Sequence, residues 1–507
     1  MDDVTVVDQP MLKRAVSAAA LGNCMEWFDF GVYSYLAATI GKVFFPGASP
    51  GAQLISTFAT FAVAFLVRPL GGMFFGPLGD KIGRTKVLAA TMLLMAVGTF
   101  AIGVLPTYDA VGMLAPILLL VARMVQGFST GGEYGGATTF IAEYSPDARR
   151  GFMGSWLDFG TFVGYALGSS LVTVLNMLLS EEEMLSWGWR LPFLIAGPLG
   201  LIGLYLRLKL EDTPAFQKQL DDHDAAVKER ETERHEFRSI FVTYWRALLV
   251  CIGLVLLYNV TNYMVTAYLP TYFTEELHRS TGFSDTLILS AMVLVVVLIT
   301  FIGRLSDRVG RRPVFLGAAV AQVILAVPAF LLIQGGGVVM PVLGVLLLAV
   351  LLTGFAAPSA ATLPALFPTA IRYGAMGIGF NISVSLFGGT TPLYTEALVD
   401  VTDDKLIPAY VLIISGIIGF IAALTLRETS LLPLKGSQPQ VSSEEEAREL
   451  VDTSETALDE IRADEAAAAS SSARASGSSS AFSAGSSTGP GRSSGGGSGS
   501  APGGGRG

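Results

Sequence analysis

Gly76-Pro-Leu-Gly-Asp80-Lys81-Ile-Gly83-Arg84 and Gly303-Arg-Leu-Ser-Asp307-Arg308-Val-Gly310-Arg311 are one loop written twice in the same chain. Each copy follows the second long apolar stretch of its half. A second echo joins Tyr144-Ser-Pro146-Asp-Ala-Arg149-Arg150-Gly151 to Phe367-Pro368-Thr-Ala-Ile-Arg372-Tyr-Gly374. The chain is therefore a duplication, and composition says of what. Of its 507 residues, 51% are hydrophobic and 15% charged, against roughly a quarter charged in a soluble domain. An apolar run of about 20 residues crosses the hydrocarbon core as a helix, and twelve such runs are legible. They lie near 15–42, 53–76, 86–106, 112–142, 152–179, 188–209, 243–272, 284–303, 313–334, 338–366, 373–398 and 408–427. One long polar insert, Glu211 to Arg238, separates the first six from the last six. The sequence predicts an all-α polytopic membrane protein with 12 transmembrane helices in two pseudo-symmetric six-helix bundles. Its segments are an N-terminal piece 1–14, a first bundle 15–209, a central loop 210–242, a second bundle 243–427, an acidic tail 428–469 and a Ser/Gly-rich tail 470–507. Repeats of like orientation imply a pseudo-twofold axis along the membrane normal and a shared site near the midplane.

Charge sets the orientation. Lys and Arg accumulate in short loops on the cytoplasmic side, and Lys13, Arg14, Lys81, Arg84, Arg149, Arg150, Arg304, Arg308, Arg311, Arg312, Arg372 and Arg427 share one side when both termini are placed inside. These basic loops suit anionic lipid. The net charge of −9 belongs to the tail, where ten acids between Glu444 and Glu465 face only Arg448 and Arg462. Beyond Ala469 the chain is mostly Ser, Gly and Ala, a composition that cannot offset its ordering entropy. Nucleic-acid binding has no support. Cys24 and Cys251 supply neither a disulfide framework nor a metal site. The acidic, polar start Met1 to Pro10 argues against a secretory signal before the first span. An intramembrane enzyme is disfavoured too, with no His-Glu-x-x-His helix, no Gly-x-Ser-x-Gly elbow and histidines only at positions 223, 235 and 278.

An ionisable side chain costs roughly 2.5–3.5 kcal/mol in hydrocarbon even on lenient scales, so the few present are functional candidates. They gather in the first half: Glu26, Asp29, Arg68, Arg123, Glu133 and Asp158. The second half carries almost none at comparable depth, which places proton handling in the first bundle. At 100° per residue, Asn23, Glu26, Asp29 and Tyr33 share a face of span one, while Arg123, Gln126, Thr130 and Glu133 fall within one arc of span four. Arg123 is then expected to face the acids of span one across a central cavity, where its approach and withdrawal would tune a carboxyl proton. The alternative is a fixed ion pair between two helices. Glu133 and Asp158 also fit positions near a helix end. In the duplicated loops, Gly76, Gly83, Gly303 and Gly310 permit tight turns. Asp80 and Asp307 can accept N–H bonds at a neighbouring helix N-terminus, with Arg84 and Arg311 to neutralise them. A gate latch and a simple topology anchor both fit that pattern. Trp27, Tyr33, Tyr134, Tyr258 and Tyr263 offer faces to a quaternary ammonium or pack as interfacial rings. Asn259, Asn262 and Asn381 suit substrate contacts or helix–helix hydrogen bonds.

Gly22-Asn-Cys-Met-Glu26-Trp-Phe-Asp29-Phe, Arg68-Pro-Leu-Gly-Gly72, Leu119-x-x-x-Arg123-x-x-Gln126-Gly127 and Gly151-Phe-Met-Gly-Ser-Trp156-Leu-Asp158-Phe-Gly160, with the doubled loop, resemble the major facilitator superfamily. Within it, residues 10–435 are similar to the metabolite:proton symporter branch and most of all to its bacterial osmoprotectant (proline/betaine) members. The resemblance implies a protein of the bacterial inner membrane and proton-driven uptake of zwitterionic osmolytes, activated by external osmolality, with no cofactor. It implies that Arg123 serves proton coupling and that Asp80 and Asp307 serve the cytoplasmic gate. Span five lacks the Gly-Pro pattern of drug/proton antiporters, which favours symport. Some relatives end in a long coiled coil that tunes the osmotic threshold, whereas this tail is poor in heptads. The neighbouring reading keeps the fold and carries an organic acid such as 2-oxoglutarate, shikimate or citrate on Arg68 and Arg123. A reading of another class is a membrane sensor on a transporter scaffold.

Overall fold

The computed structural model describes residues 4–82, 84–131, 133–211 and 241–452. Expectations for most of the central loop, for the chain beyond residue 452, for Gly83, and for the side chains of Gly76, Asp80, Arg84 and Glu133 lie outside the described residues. Among these residues twelve long helical stretches follow one another. They are α1 Gln9–Tyr35, α2 Pro50–Ile82, α3 Arg84–Val104, α4 Leu114–Tyr144 (broken after Ser129), α5 Arg150–Leu178, α6 Arg190–Glu211, α7 Trp245–Glu276, α8 Thr281–Val309, α9 Arg311–Ile333, α10 Val339–Ala365, α11 Thr369–Ser383 with continuations Val384–Gly388 and Thr391–Thr402, and α12 Ile407–Thr425. Among the described residues eight helices meet the length and apolarity needed to cross a membrane, and α1, α3, α6 and the broken α11 are not among them. α1 carries Lys13, Arg14, Glu26 and Asp29, and the two acids are turned into the protein interior. The surface pattern is inverted relative to a soluble protein. Leu66, Leu70 and Met73 on α2, Val293, Val297 and Phe301 on α8, and Ile414, Ile417 and Ile421 on α12 are exposed at helical spacing, the outer stripe of helices that are apolar all round.

Small residues set the helix spacing inside each half. A Cβ on Gly160 would lie 2.1 Å from the Ala20 carbonyl oxygen, and one on Gly164 2.2 Å from that of Cys24, so α1 and α5 pack backbone to backbone. The same holds for α2 and α4, where Gly127 faces the Ala64 carbonyl and Gly131 that of Arg68. Lipid tails offer helices no hydrophobic reason to associate, and such close approach supplies the dispersion contact instead. Two helices are irregular for visible reasons. Pro270 removes an N–H from α7, and wide π turns at Met264–Tyr268 and Tyr272–Glu276 flank it. α11 breaks after Gly388, where the Phe65 ring of α2 occupies the space of a Gly389 side chain.

The halves touch along their full depth. At the end bearing the duplicated loops, Asp307 of α8 accepts the backbone N–H groups of Gly151 (2.7 Å) and Phe152 (2.8 Å), and Arg372 pairs with Glu143. Midway, Ser385 Oγ donates to the Phe65 carbonyl at 2.6 Å and Asn381 Nδ2 to that of Gly131 at 2.8 Å. At the far end Asn176 donates to Asp285 at 2.8 Å. Both ends are thus bridged between the halves.

The tail boundary drawn at residue 428 cuts through a segment that packs with the helices. Arg150 donates to the Leu432 carbonyl, Arg372 to that of Lys435, and Gln440–Val441 pairs in parallel with Thr5–Val6. Glu428 accepts the N–H groups of Arg311 (3.0 Å) and Arg312 (3.1 Å) at the start of α9. Gly310 takes φ +106° just before them, where a Cβ would meet the Glu428 carboxylate. Partial burial raises the Glu428 carboxyl, but its four N–H bonds, from Arg311, Ser430, Thr429 and Arg312, outweigh this and hold it below the usual range. Because the folded value is depressed, the stability it adds is complete above the usual carboxylate range and lost as pH falls through the lowered value. Thermal unfolding between pH 7 and pH 3 should therefore show an acid-side loss that shrinks in Glu428→Gln.

Candidate functional site

Glu26 and Asp29 lie three residues apart on α1, so they leave the helix about 60° apart and meet different partners. Glu26 Oε1 accepts from Arg68 Nη2 of α2 at 2.8 Å, with both side chains fully buried. Asp29 turns toward α3, where Thr99 Oγ1 donates to its Oδ2 at 2.6 Å. Arg123 of α4 does not face the acids across an open cavity, which corrects the expectation from helical phase. Its guanidinium lies 4.0 Å from the centre of the Tyr33 ring, with Phe30 and Phe61 within 5.3 Å, inside the range of a cation–π contact. Arg123 Nη1 donates to Gln126 Oε1 at 2.8 Å, and Gln126 Nε2 donates in turn to Thr99. Arg123 and Asp29 are joined through Gln126 and Thr99, a line of buried polar groups across α4, α3 and α1. The physical reason is distance: the long Arg68 side chain reaches from α2 into hydrogen-bond contact with Glu26, and aromatic rings fill the space before Arg123.

Around this pair the rings interlock. Trp27 lies 5.5 Å from Tyr165 and 6.0 Å from Tyr263, and Phe65 lies 5.2 Å from Tyr263. Several polar atoms here are buried without a hydrogen-bond partner: Arg68 Nε and Nη1, Arg123 Nε and Nη2, and the Tyr263 hydroxyl. Each unmade hydrogen bond in the interior costs on the order of 1–3 kcal/mol, a cost that falls away if another molecule supplies the missing partners. A second polar node crosses the halves nearer the loop end. Asp158 of α5 accepts from Tyr258 of α7 at 2.9 Å and from Tyr134 of α4 at 3.3 Å, and Tyr134 stacks on Phe380 at 4.2 Å.

Other candidates fall elsewhere. Asn23 bonds to the Leu157 carbonyl and to Thr161 of α5 and accepts from Trp27, so it joins helices. Asn259 donates to Val255 of its own helix. Tyr33 donates to the Thr57 carbonyl. Asn381 bridges the halves through Gly131. Gly303 faces Ser155 and Gly151 at the crossing of α8 and α5, and Arg311 reaches Asp307 at 3.5 Å. The sequence reading missed Thr99 and Tyr165, which carry no signal beyond a hydroxyl inside an apolar helix. It also placed almost no acids deep in the second half, yet Glu396 of α11 is 2% exposed and Asp285 of α8 5%. Both sit near the far helix ends, where an acid reads as a loop residue until packing buries it.

The family model described as "Sugar (and other) transporter" matches residues 15–441. The chain belongs to the sugar (and other) transporter family. It is 49% identical over 465 residues to the proline/betaine transporter of Escherichia coli strain K12, covering 90% of this chain and 93% of that protein. It is 50% identical over 453 residues to the glycine betaine/proline/ectoine/pipecolic acid transporter OusA of Dickeya dadantii, covering 89% and 90%. The solved structure of the major facilitator superfamily proton:xylose symporter XylE superposes with a TM-score of 0.66 at 18% identity, covering 84% of this chain and 98% of that one. The fold is the major facilitator fold, and the protein is a membrane transporter rather than an enzyme.

Proposed function

We propose that this transporter takes up zwitterionic compatible solutes, proline and glycine betaine among them, together with a proton. The carrying observation is the Glu26–Arg68 pair set among Trp27, Tyr165, Tyr263 and Phe65 with guanidinium and hydroxyl atoms left unpartnered. A zwitterion asks for both features. Its carboxylate suits the planar donors of Arg68, and its quaternary or secondary ammonium suits ring faces. The relatives named for proline and betaine support the cargo. The bundles 15–209 and 243–427 rock about this centre in alternating access, and the rings part to admit substrate. The end bearing the duplicated loops and both termini faces the bacterial cytoplasm, where Arg149, Arg304 and Arg308 meet anionic lipid. Asp307 on the α5 N-terminus closes that gate. Asp29, Thr99, Gln126 and Arg123 form the coupling line, and Asp158 between Tyr134 and Tyr258 joins the halves. Osmotic activation belongs to the same reading.

The test is uptake into proteoliposomes under an inward proton gradient, with labelled proline, glycine betaine and 2-oxoglutarate at low and high external osmolality. Proline and betaine should accumulate and the keto acid should not; accumulation of the keto acid alone would replace the cargo. Asp29→Asn should lower gradient-driven accumulation at least about tenfold while leaving counterflow exchange, since a coupling group acts on the proton and not on the binding step. Full accumulation in that variant would remove Asp29 from the coupling line.

A further inference from the structure

Glu396 lies on Thr391–Thr402, the last part of α11, where that segment packs against the far half of α2 and the Met264–Tyr268 turn of α7. It is 2% exposed, and the Tyr268 hydroxyl shares a hydrogen bond with its carboxyl, a neutral partner that brings no compensating charge. Thr395 Oγ1, on the preceding residue, is buried without a hydrogen-bond partner. The ionisable groups that face it are Tyr268, Glu276 and Glu275 from α7 and Asp400 from its own segment. The far half of α2, from Pro50 to Val67, contributes no ionisable side chain. Lys405 spends its ammonium on the Glu276 carbonyl, and no ion pair reaches Glu396 among the described residues. A carboxylate in this position would be a buried, uncompensated charge surrounded by acids, and the penalty for such a charge is several kcal/mol.

The location gives that penalty a use. Asp400 presses on Gly51 at the start of α2, and Tyr268 packs on Phe58 of α2. Glu396 therefore sits in the seam between the halves at the end opposite the duplicated loops. When α2 leaves α7 and α11 the seam opens to water, and when it returns the carboxyl is sealed in. We propose that Glu396 is a proton-binding site of the outer gate, whose protonation from outside permits the halves to close there. This rests on the transport reading and extends proton handling to the second half of the chain. Closure is favoured at low external pH and opposed as the carboxyl ionises. No atom other than the proton is transferred: it passes from external water to a Glu396 oxygen and leaves by the same group.

The experiment compares wild type, Glu396→Gln and Glu396→Asp in proteoliposomes, measuring proline counterflow and gradient-driven accumulation from external pH 6 to 9. Wild-type counterflow should fall by about tenfold per pH unit at most across the titration. Glu396→Gln, locked neutral, should lose this pH dependence while retaining exchange, and Glu396→Asp should keep a shifted pH dependence. A wild-type pH profile in Glu396→Gln would overturn the proposal. If the wild type carries no proline, the transport reading fails, and a second readout still decides on Glu396. A hydrophobic carbodiimide, which reacts with protonated carboxyls, should modify Glu396 of the wild type at pH 7, as read by mass spectrometry of the α11 peptide. Absence of the adduct would overturn the proposal, including where the glutamine variant fails to fold.

Discussion

Arg68→Ala should destabilise the folded transporter by about 3–5 kcal/mol, because removing one partner of a buried ion pair leaves the other uncompensated. Glu26 keeps 0% exposure in the folded state, so its charge cannot reach water unless the helices around it part. The same variant should abolish uptake, since Arg68 Nε and Nη1 are the unpartnered donors offered to a substrate carboxylate. The double variant Glu26→Gln/Arg68→Met separates the two effects. Neutral, volume-matched replacements remove the desolvation cost of both charges, so thermal stability in detergent should recover most of the loss while transport stays absent. Recovery of transport in the double variant would reduce the pair to a structural tie and move the substrate site elsewhere.

Gly127→Leu should yield no monodisperse folded protein, and Gly127→Ala should lower the melting temperature by several degrees. A Cβ at residue 127 would stand 1.8 Å from the Ala64 carbonyl oxygen, and backbone cannot swing aside as a side chain does. Forcing extra atoms into such a contact costs about 1–3 kcal/mol where neighbours can yield and more where they cannot. Arg68 and Gln126 lie within one turn of this crossing, so the alanine variant should also impair transport more than its stability loss explains. Size-exclusion profiles and uptake normalised to folded protein test both statements; an alanine variant as active and stable as wild type would show that α2 and α4 are free to separate.

How much was legible follows from the range of each interaction. Apolar runs and loop charge report on water and lipid, which every residue meets without help from distant chain. The twelve spans and the duplication follow from them, and the matching transporter family carries the same fold. Helical phase put Glu26 and Asp29 on the inner side of α1, but phase is a property of one helix. It does not say that α2 brings Arg68 to Glu26, or that Tyr33, Phe30 and Phe61 fill the space before Arg123. Thr99 illustrates the same limit, since one hydroxyl among the apolar residues of α3 becomes the link between Asp29 and Gln126 only through three-helix packing. Glu396 is the clearest case. Six residues from the end of its helix it resembles a loop acid, and only the seam of α2, α7 and α11 removes it from water.

The sequence by itself determined a duplicated, lipid-embedded helical transporter and the residue types available to its centre, because solvent preference and periodicity are local and additive. Which charges pair, which donors stay unpartnered and which acid is sealed at the far gate were decided by tertiary structure. Those outcomes depend on distances of a few ångströms between helices far apart in the chain, set by glycine contacts such as Gly127 on Ala64 and Gly160 on Ala20.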